Sequence, residues 1–205
     1  FKIYPSLKAE HSIKLNLLNN LIYNKIKNRK VFSKINDLSD KTFVGNDKIY
    51  NEVDGLKITQ EKLRTLIEYE NIETLINQNN IKILEIGSGN GRMCECILSC
   101  NEKVSKYILV DIPPALPSAF KRLKLSLKNK KLCYAIDAKN REELEKIVQN
   151  NDVIFLFPNQ INILQKNFDL FIAIDCLHEM KKKTIKEYMQ IASVISKKIY
   201  FKVHE

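Results

Sequence analysis

The stretch Ile81-Lys82-Ile83-Leu84-Glu85-Ile86-Gly87-Ser88-Gly89-Asn90-Gly91 constrains the fold more than any other part of this chain. An apolar run carrying an acidic residue is followed by three glycines at alternate positions. The run reads as a buried parallel strand, and the glycines as the tight turn that feeds the next helix. Glycine at such a turn takes positive φ and lets a ligand approach where a Cβ would intrude.

The ligand class turns on Glu85, two residues before Gly87. A dinucleotide fold lays a pyrophosphate over this turn and needs helix-end N–H groups there, without an added negative charge. Its G-x-G-x-x-G pattern also fails, because the third glycine falls at Arg92 in one register and at Cys94 in the other. S-adenosylmethionine carries an ammonium, a carboxylate and a sulfonium and no phosphate, so a nearby carboxylate suits it. The spacing resembles the first motif of the class I methyltransferases, with Glu85, Gly87, Ser88, Gly89 and Gly91 as donor-binding candidates. The bland alternative is a glycine-rich turn that binds nothing.

A second apolar strand, Ser105–Val110, ends at Asp111, 20 residues after Gly91. An acidic residue at that tip is placed to accept hydrogen bonds from ribose hydroxyls. Both nucleoside ligands need this contact, so Asp111, with Ile112 beside it, supports a nucleoside without choosing between them.

From Ile81 onward strand and helix alternate: strands at 82–86, 105–111, 132–136, 153–157, 168–174 and 199–203, with helices near 91–100, 116–128, 140–149 and 182–196. Such alternation means a mostly parallel sheet wrapped by helices with right-handed crossovers. Ahead of it, residues 6–29 and a segment capped by Thr59 read as amphipathic helices, with a Gly/Asn/Asp-rich loop at 33–55 between them. The expected fold is therefore α/β, a Rossmann-like sheet with an N-terminal helical extension. Residues 1–78 form a cap region and 79–205 the nucleoside-binding domain. The chain begins at Phe1 without Met and stops at Glu205 inside a strand pattern, so it reads as a fragment lacking the last strands of its sheet.

The formal net charge of +10 raises the question of nucleic acid, but only five of 34 basic residues are Arg: 29, 64, 92, 122 and 141. Lysines spread along the chain are poor material for a recognition patch, so the partner expected is a small molecule or glycan. Five cysteines without a C-x-x-C pair, and three histidines, give no metal-site spacing and suit a reduced, cytoplasmic protein. No apolar run approaches the ~20 residues of a membrane span.

Two positions remain open. Either 132–136 or 153–157 could be the third strand, bringing Asp137 or else Asn159 and Gln160 to an adenine edge; the short loop to Phe168 favours the second. After the fourth strand, which ends at Asp175, comes Cys176-Leu177-His178-Glu179-Met180. Ligands in open α/β sheets lie beyond the carboxyl ends of the strands, so Asp175 joins the donor-site candidates. His178 could be a general base for a hydroxyl, with Glu179 holding its other nitrogen. The plain alternative has His178 packed at a helix start.

The segments ILEIGSGNG, YILVDIPPAL, VIFLFPNQ and FDLFIAIDCLHEM together resemble the sugar O-methyltransferase family of bacteria, and GLKITQEKLRTLIEYEN is similar to that family's lead-in. The resemblance covers roughly residues 40–205, and the D-I-P-P and L-H-E-M elements are more specific than the glycines. It implies S-adenosylmethionine as cofactor and methylation of a saccharide in surface-polysaccharide biosynthesis. Methyl transfer to another small molecule or an RNA, or a non-catalytic module of the same fold, are the alternatives.

Overall fold

The computed structural model describes residues 9–38, 51–135, 137–165 and 167–203. An N-terminal helix α1 (Ala9–Ile26) and a 3-10 helix (Lys30–Asp37) precede a small hairpin of β1 (Asn51–Val53) and β2 (Leu56–Ile58). Helix α2 (Gln60–Glu73) begins at Thr59, whose side chain accepts from the Lys62 N–H at 3.1 Å, the expected cap. Then come β3 (Ile81–Ile86), α3 (Arg92–Cys100), β4 (Val104–Val110), α4 (Leu116–Ser126), β5 (Leu132–Tyr134), α5 (Arg141–Asn150), β6 (Val153–Leu156), β7 (Phe168–Ile174), α6 (Lys182–Ile195) and β8 (Ser196–Lys202). No helix among the described residues is long and apolar enough to cross a membrane.

The main sheet runs β5-β6-β4-β3-β7-β8, and every pairing in it is parallel. It is a Rossmann-like α/β sheet. Both candidate third strands are in it: Val153–Leu156 pairs with β4, as the loop length favours, and Leu132–Tyr134 takes the edge beyond. Helix α6 passes into β8 without a loop. The strand therefore starts three residues earlier than the sequence pattern expects, and Ser196 turns its hydroxyl back onto the Ala192 carbonyl at 2.6 Å.

Strand periodicity sorts the apolar residues into two cores. Ile83, Tyr107, Leu109, Phe155, Leu170 and Ile172 face one layer, while Leu84, Ile108, Ile154, Phe171 and Ala173 face the other. The first layer takes α3 and α4 through Met93, Ile97, Ala119 and Leu123, and the second takes α5 and α6 through Leu144, Ala192 and Ile195. The chain leaves β3 towards one edge of the sheet and returns to β7 on the other side, and the helices that follow the two strands pack on opposite faces, so a crevice opens beyond their carboxyl ends.

The N-terminal helices belong to the first core. Tyr23 and Ile26 of α1, and Leu63, Leu66, Tyr69 and Ile72 of α2, are buried with the sheet residues. On its other stripe α2 carries Glu61, Arg64, Thr65 and Glu68, spaced so that all four face α3 and the strand tips. Arg122 of α4 is nearly buried between Glu95 of α3 and Glu61 of α2, with both N–O distances at 2.5 Å. Removing one member of such a group strands the rest without compensation. Arg122→Ala is accordingly expected to lower unfolding free energy by roughly 3–5 kcal/mol in urea titration; a loss under about 1 kcal/mol would contradict this role.

Candidate functional site

The crevice holds a cavity of about 590 Å³, in the size range of small-ligand sites. Its walls are the glycine turn, Asp111 and Ile112 after β4, Asp175 and Cys176 after β7, and two arginines, Arg64 from α2 and Arg92 from α3. Glu179 and Met180 close one side.

The three glycines do different work. Gly87, at φ 67°, lies so close to Cys176 that a Cβ would sit 2.4 Å from the Cys176 Cβ, so its lack of a side chain lets β3 and β7 meet. A Cβ on Gly91 would press on Ala119 and Leu123, so Gly91 serves the contact between α3 and α4. Only Gly89, at φ 54°, has open space where a Cβ would stand. It is the glycine that leaves room for a ligand.

The three glycine N–H groups of this turn, and that of Arg92, are already used. Gly89 donates to Asp111 Oδ2 at 2.6 Å, and Gly91 donates to the Ser88 carbonyl at 2.9 Å. Gly87 donates to the Val110 carbonyl, and Arg92 donates to Asn90 Oδ1 at 3.2 Å. A pyrophosphate needs such groups free and pointing outward. Here one of them is held by a carboxylate. Asp111 also accepts from the Ile112 N–H at 2.7 Å, and a carboxylate has about four acceptor sites, which leaves capacity for a ribose hydroxyl. Burial raises the Asp111 pKa, and the two N–H bonds pull against that rise.

Glu85 lines the cavity from within the first core and is only 3% exposed. The Tyr107 hydroxyl donates to its Oε2 at 2.9 Å. Burial pushes the Glu85 pKa up to about 8, with the Tyr107 hydrogen bond and the Arg92 charge opposing it in part. A cation brought into the cavity would favour the ionised form. Burial and the Glu85 charge raise the Cys176 thiol to about 12, which disfavours its thiolate. Ser88 Oγ is buried and has no hydrogen-bond partner among the described residues.

Glu85, Gly87, Ser88, Gly89, Asp111, Ile112, Asp175 and Glu179 all line this cavity. Gly91 stands behind the turn, in the α3–α4 contact. Three other residues from the sequence reading lie apart from it. Gln160 is buried, donates to the Ala135 and Ala138 carbonyls at 2.7 and 3.3 Å, and accepts from the Phe157 N–H at 3.1 Å. Its amide ties Ala135 and Ala138 to the end of β6 and is spent on the backbone. Asn159 lines a separate hollow beside Tyr188 of α6. His178 sits on a 3-10 turn (Leu177–Glu179), one residue from the cavity wall, with Nε2 4.0 Å from Glu179 Oε1 and its side chain 36% exposed. The alternative adenine reader, Asp137, is exposed.

Sequence reasoning missed Arg64, Arg92 and Tyr107. A signal was present for the arginines. In a chain with few Arg, three of the five gather around this site and its supports, each paired with carboxylates. A rigid guanidinium fork does what a lysine cannot at such a place.

No protein-family model matches the sequence, and no curated protein sequence matches it. Among solved structures the chain is similar to a Plasmodium falciparum candidate protein-L-isoaspartate O-methyltransferase in complex with S-adenosyl-L-homocysteine. The two share 12% identity over 78% of this chain and 72% of that one, at a TM-score of 0.47. It is also similar to a candidate RNA methyltransferase from Pyrococcus horikoshii, with 11% identity, coverage of 68% and 58%, and a TM-score of 0.47. A Thermoplasma acidophilum protein gives 15% identity, coverage of 68% and 60%, and a TM-score of 0.46. This chain thus spans about three fifths of the length of the last two.

The buried acid sets a pH dependence. Between the ordinary glutamate range, near ~4.3, and about 8, the folded chain holds a proton on Glu85 that the unfolded chain has lost. That contribution to stability is full at low pH and is lost as pH rises through this window. Urea titrations at about pH 6 and about pH 8 should show a smaller fall for Glu85→Gln than for the unmodified protein. Identical slopes would refute the protonated, buried acid.

Proposed function

We propose that this chain binds S-adenosyl-L-methionine and catalyses transfer of its methyl group to a sugar hydroxyl. The observation that carries the reading is the occupied glycine turn: its three glycine N–H groups face the chain's own acceptors, and a buried acid, Glu85, lines the same cavity as Gly89. That arrangement rejects phosphates and suits a cationic nucleoside. The orphaned Ser88 Oγ and the space before Gly89 fit a ligand lying along the turn.

In this reading Glu85, ionised when a cation enters, complements the methionine ammonium, and Asp111 accepts from the ribose. Ile112, 57% exposed, offers an apolar surface to the adenine. The donor supplies an electrophilic methyl on sulfur. His178, with Glu179 beside it, accepts the proton of the acceptor hydroxyl as that oxygen bonds to the methyl and the sulfur–methyl bond breaks. The products are a methyl ether, S-adenosylhomocysteine and a proton. Alignment by the walls supplies much of the acceleration. The sugar rests on the sequence resemblance through the D-I-P-P and L-H-E-M segments, which also suggests a cytoplasmic step of surface-polysaccharide synthesis.

A methyl-transfer assay with labelled donor and saccharide acceptors tests this. Gly89→Val should lower turnover at least about 10-fold through lost donor binding. His178→Ala should lower it about 10²–10⁴-fold and leave donor affinity nearly intact. A folded His178→Ala protein with unchanged turnover would remove the base assignment. Failure to methylate any saccharide while another acceptor class is methylated would remove the sugar.

A further inference from the structure

We propose that the outer face of α1 docks on an anionic lipid surface, through Leu17, Leu18 and Leu21 and the lysines that flank them. The inference is independent of the methyl-transfer reading.

One side of α1 is spent on the rest of the chain: Asn19, Tyr23 and Ile26, at i, i+4 and i+7, are buried. The same periodicity places Lys14, Leu18, Leu21 and Lys25 on the opposite side, with Leu17 one turn before Leu21. Leu17, Leu18 and Leu21 are 60%, 40% and 61% exposed, and two of them are the most exposed large apolar side chains among the described residues. Single exposed leucines are ordinary, but three that adjoin on one helix stripe form a patch.

Charge indicates what covers it. Lys14 stands one turn before the leucines and Lys25 one turn after, and both are exposed. From residue 14 to residue 38 the chain carries six basic residues and one acidic residue, Asp37. Asp37 lies 4.0 Å from Lys34, and Arg29 pairs with Glu70 of α2 at 2.8 Å. Lys14, Lys25 and Lys30 have no acidic partner among the described residues.

A second copy fits this face poorly. Laid antiparallel on the leucines it sets Lys14 against Lys25, and laid parallel it sets each lysine against its own counterpart. Three partly exposed leucines also fall far short of the roughly 800 Å² per partner of a stable interface. A lipid surface satisfies both parts of the stripe. The leucines enter the boundary between headgroups and acyl chains, and the lysines lay their stems on apolar matter and keep their ammonium groups among anionic headgroups.

Cosedimentation of the full chain with vesicles of phosphatidylglycerol and phosphatidylcholine in equal parts, and with vesicles of phosphatidylcholine alone, tests the proposal. The unmodified protein should bind the anionic vesicles at least about 10-fold more tightly than the neutral ones. Leu17→Glu with Leu21→Glu should lower that affinity at least about 10-fold, and Lys14→Gln with Lys25→Gln about 5–30-fold. Leu17→Ser with Leu21→Ser, a milder change at the same exposed positions, should act in the same direction and guards against a folding defect. Absence of binding to the anionic vesicles, equal binding to the neutral ones, or binding that both leucine pairs leave unchanged would overturn the proposal. So would a dimer in solution, seen by light scattering, that the leucine changes dissociate, since a second copy would then cover the face.

Discussion

The hydrogen bond from the Gly89 N–H to the Asp111 carboxylate, at 2.6 Å, is the contact on which the site depends. It joins the turn after β3 to the tip of β4 and fixes the crevice before any ligand arrives. It also gives the turn a negative partner where a dinucleotide fold presents bare N–H groups. Glu85 extends this bias into the core, where burial keeps its proton until a cation competes for the carboxylate.

The second constraint is the ionic stripe of α2. Glu61, Arg64, Thr65 and Glu68 engage Arg122, Asp175 and Arg92, so the helix that precedes β3 becomes a wall of the crevice. Isolated surface pairs would contribute little. These are mostly buried and share partners, so their worth lies in fixing where α2 sits. Polar residues on both sides of the contact leave few alternative packings.

Much of the sheet was legible because each strand carries its own pattern. Ile81–Ile86 and Phe168–Ile174 are apolar apart from Lys82, Glu85 and Asp169, as suits strands covered on both faces. The placement of Leu132–Tyr134 at the edge was only partly legible, because crossover lengths allow either strand beside β4 and the short loop to Phe168 alone favoured Val153–Leu156 there. Glycines and acidic tips were readable from spacing. The work of individual glycines was not: Gly87 answers to Cys176, which is 89 residues away in sequence. Gln160 failed as a guide for a similar reason, since an amide suited to an adenine edge suits backbone carbonyls equally well. Arg64 was hidden because pairing of a helix surface with a strand tip is a tertiary event with no local signature.

The central claim is that the glycine turn and its acids accept a cationic nucleoside and refuse a phosphate-bearing one. Parallel calorimetric titrations of the unmodified chain with S-adenosylmethionine and with NAD decide it most directly. The account predicts one-to-one binding of S-adenosylmethionine with a Kd at or below about 100 μM, and NAD at least about 100-fold weaker. NAD binding as tight as, or tighter than, S-adenosylmethionine would contradict it.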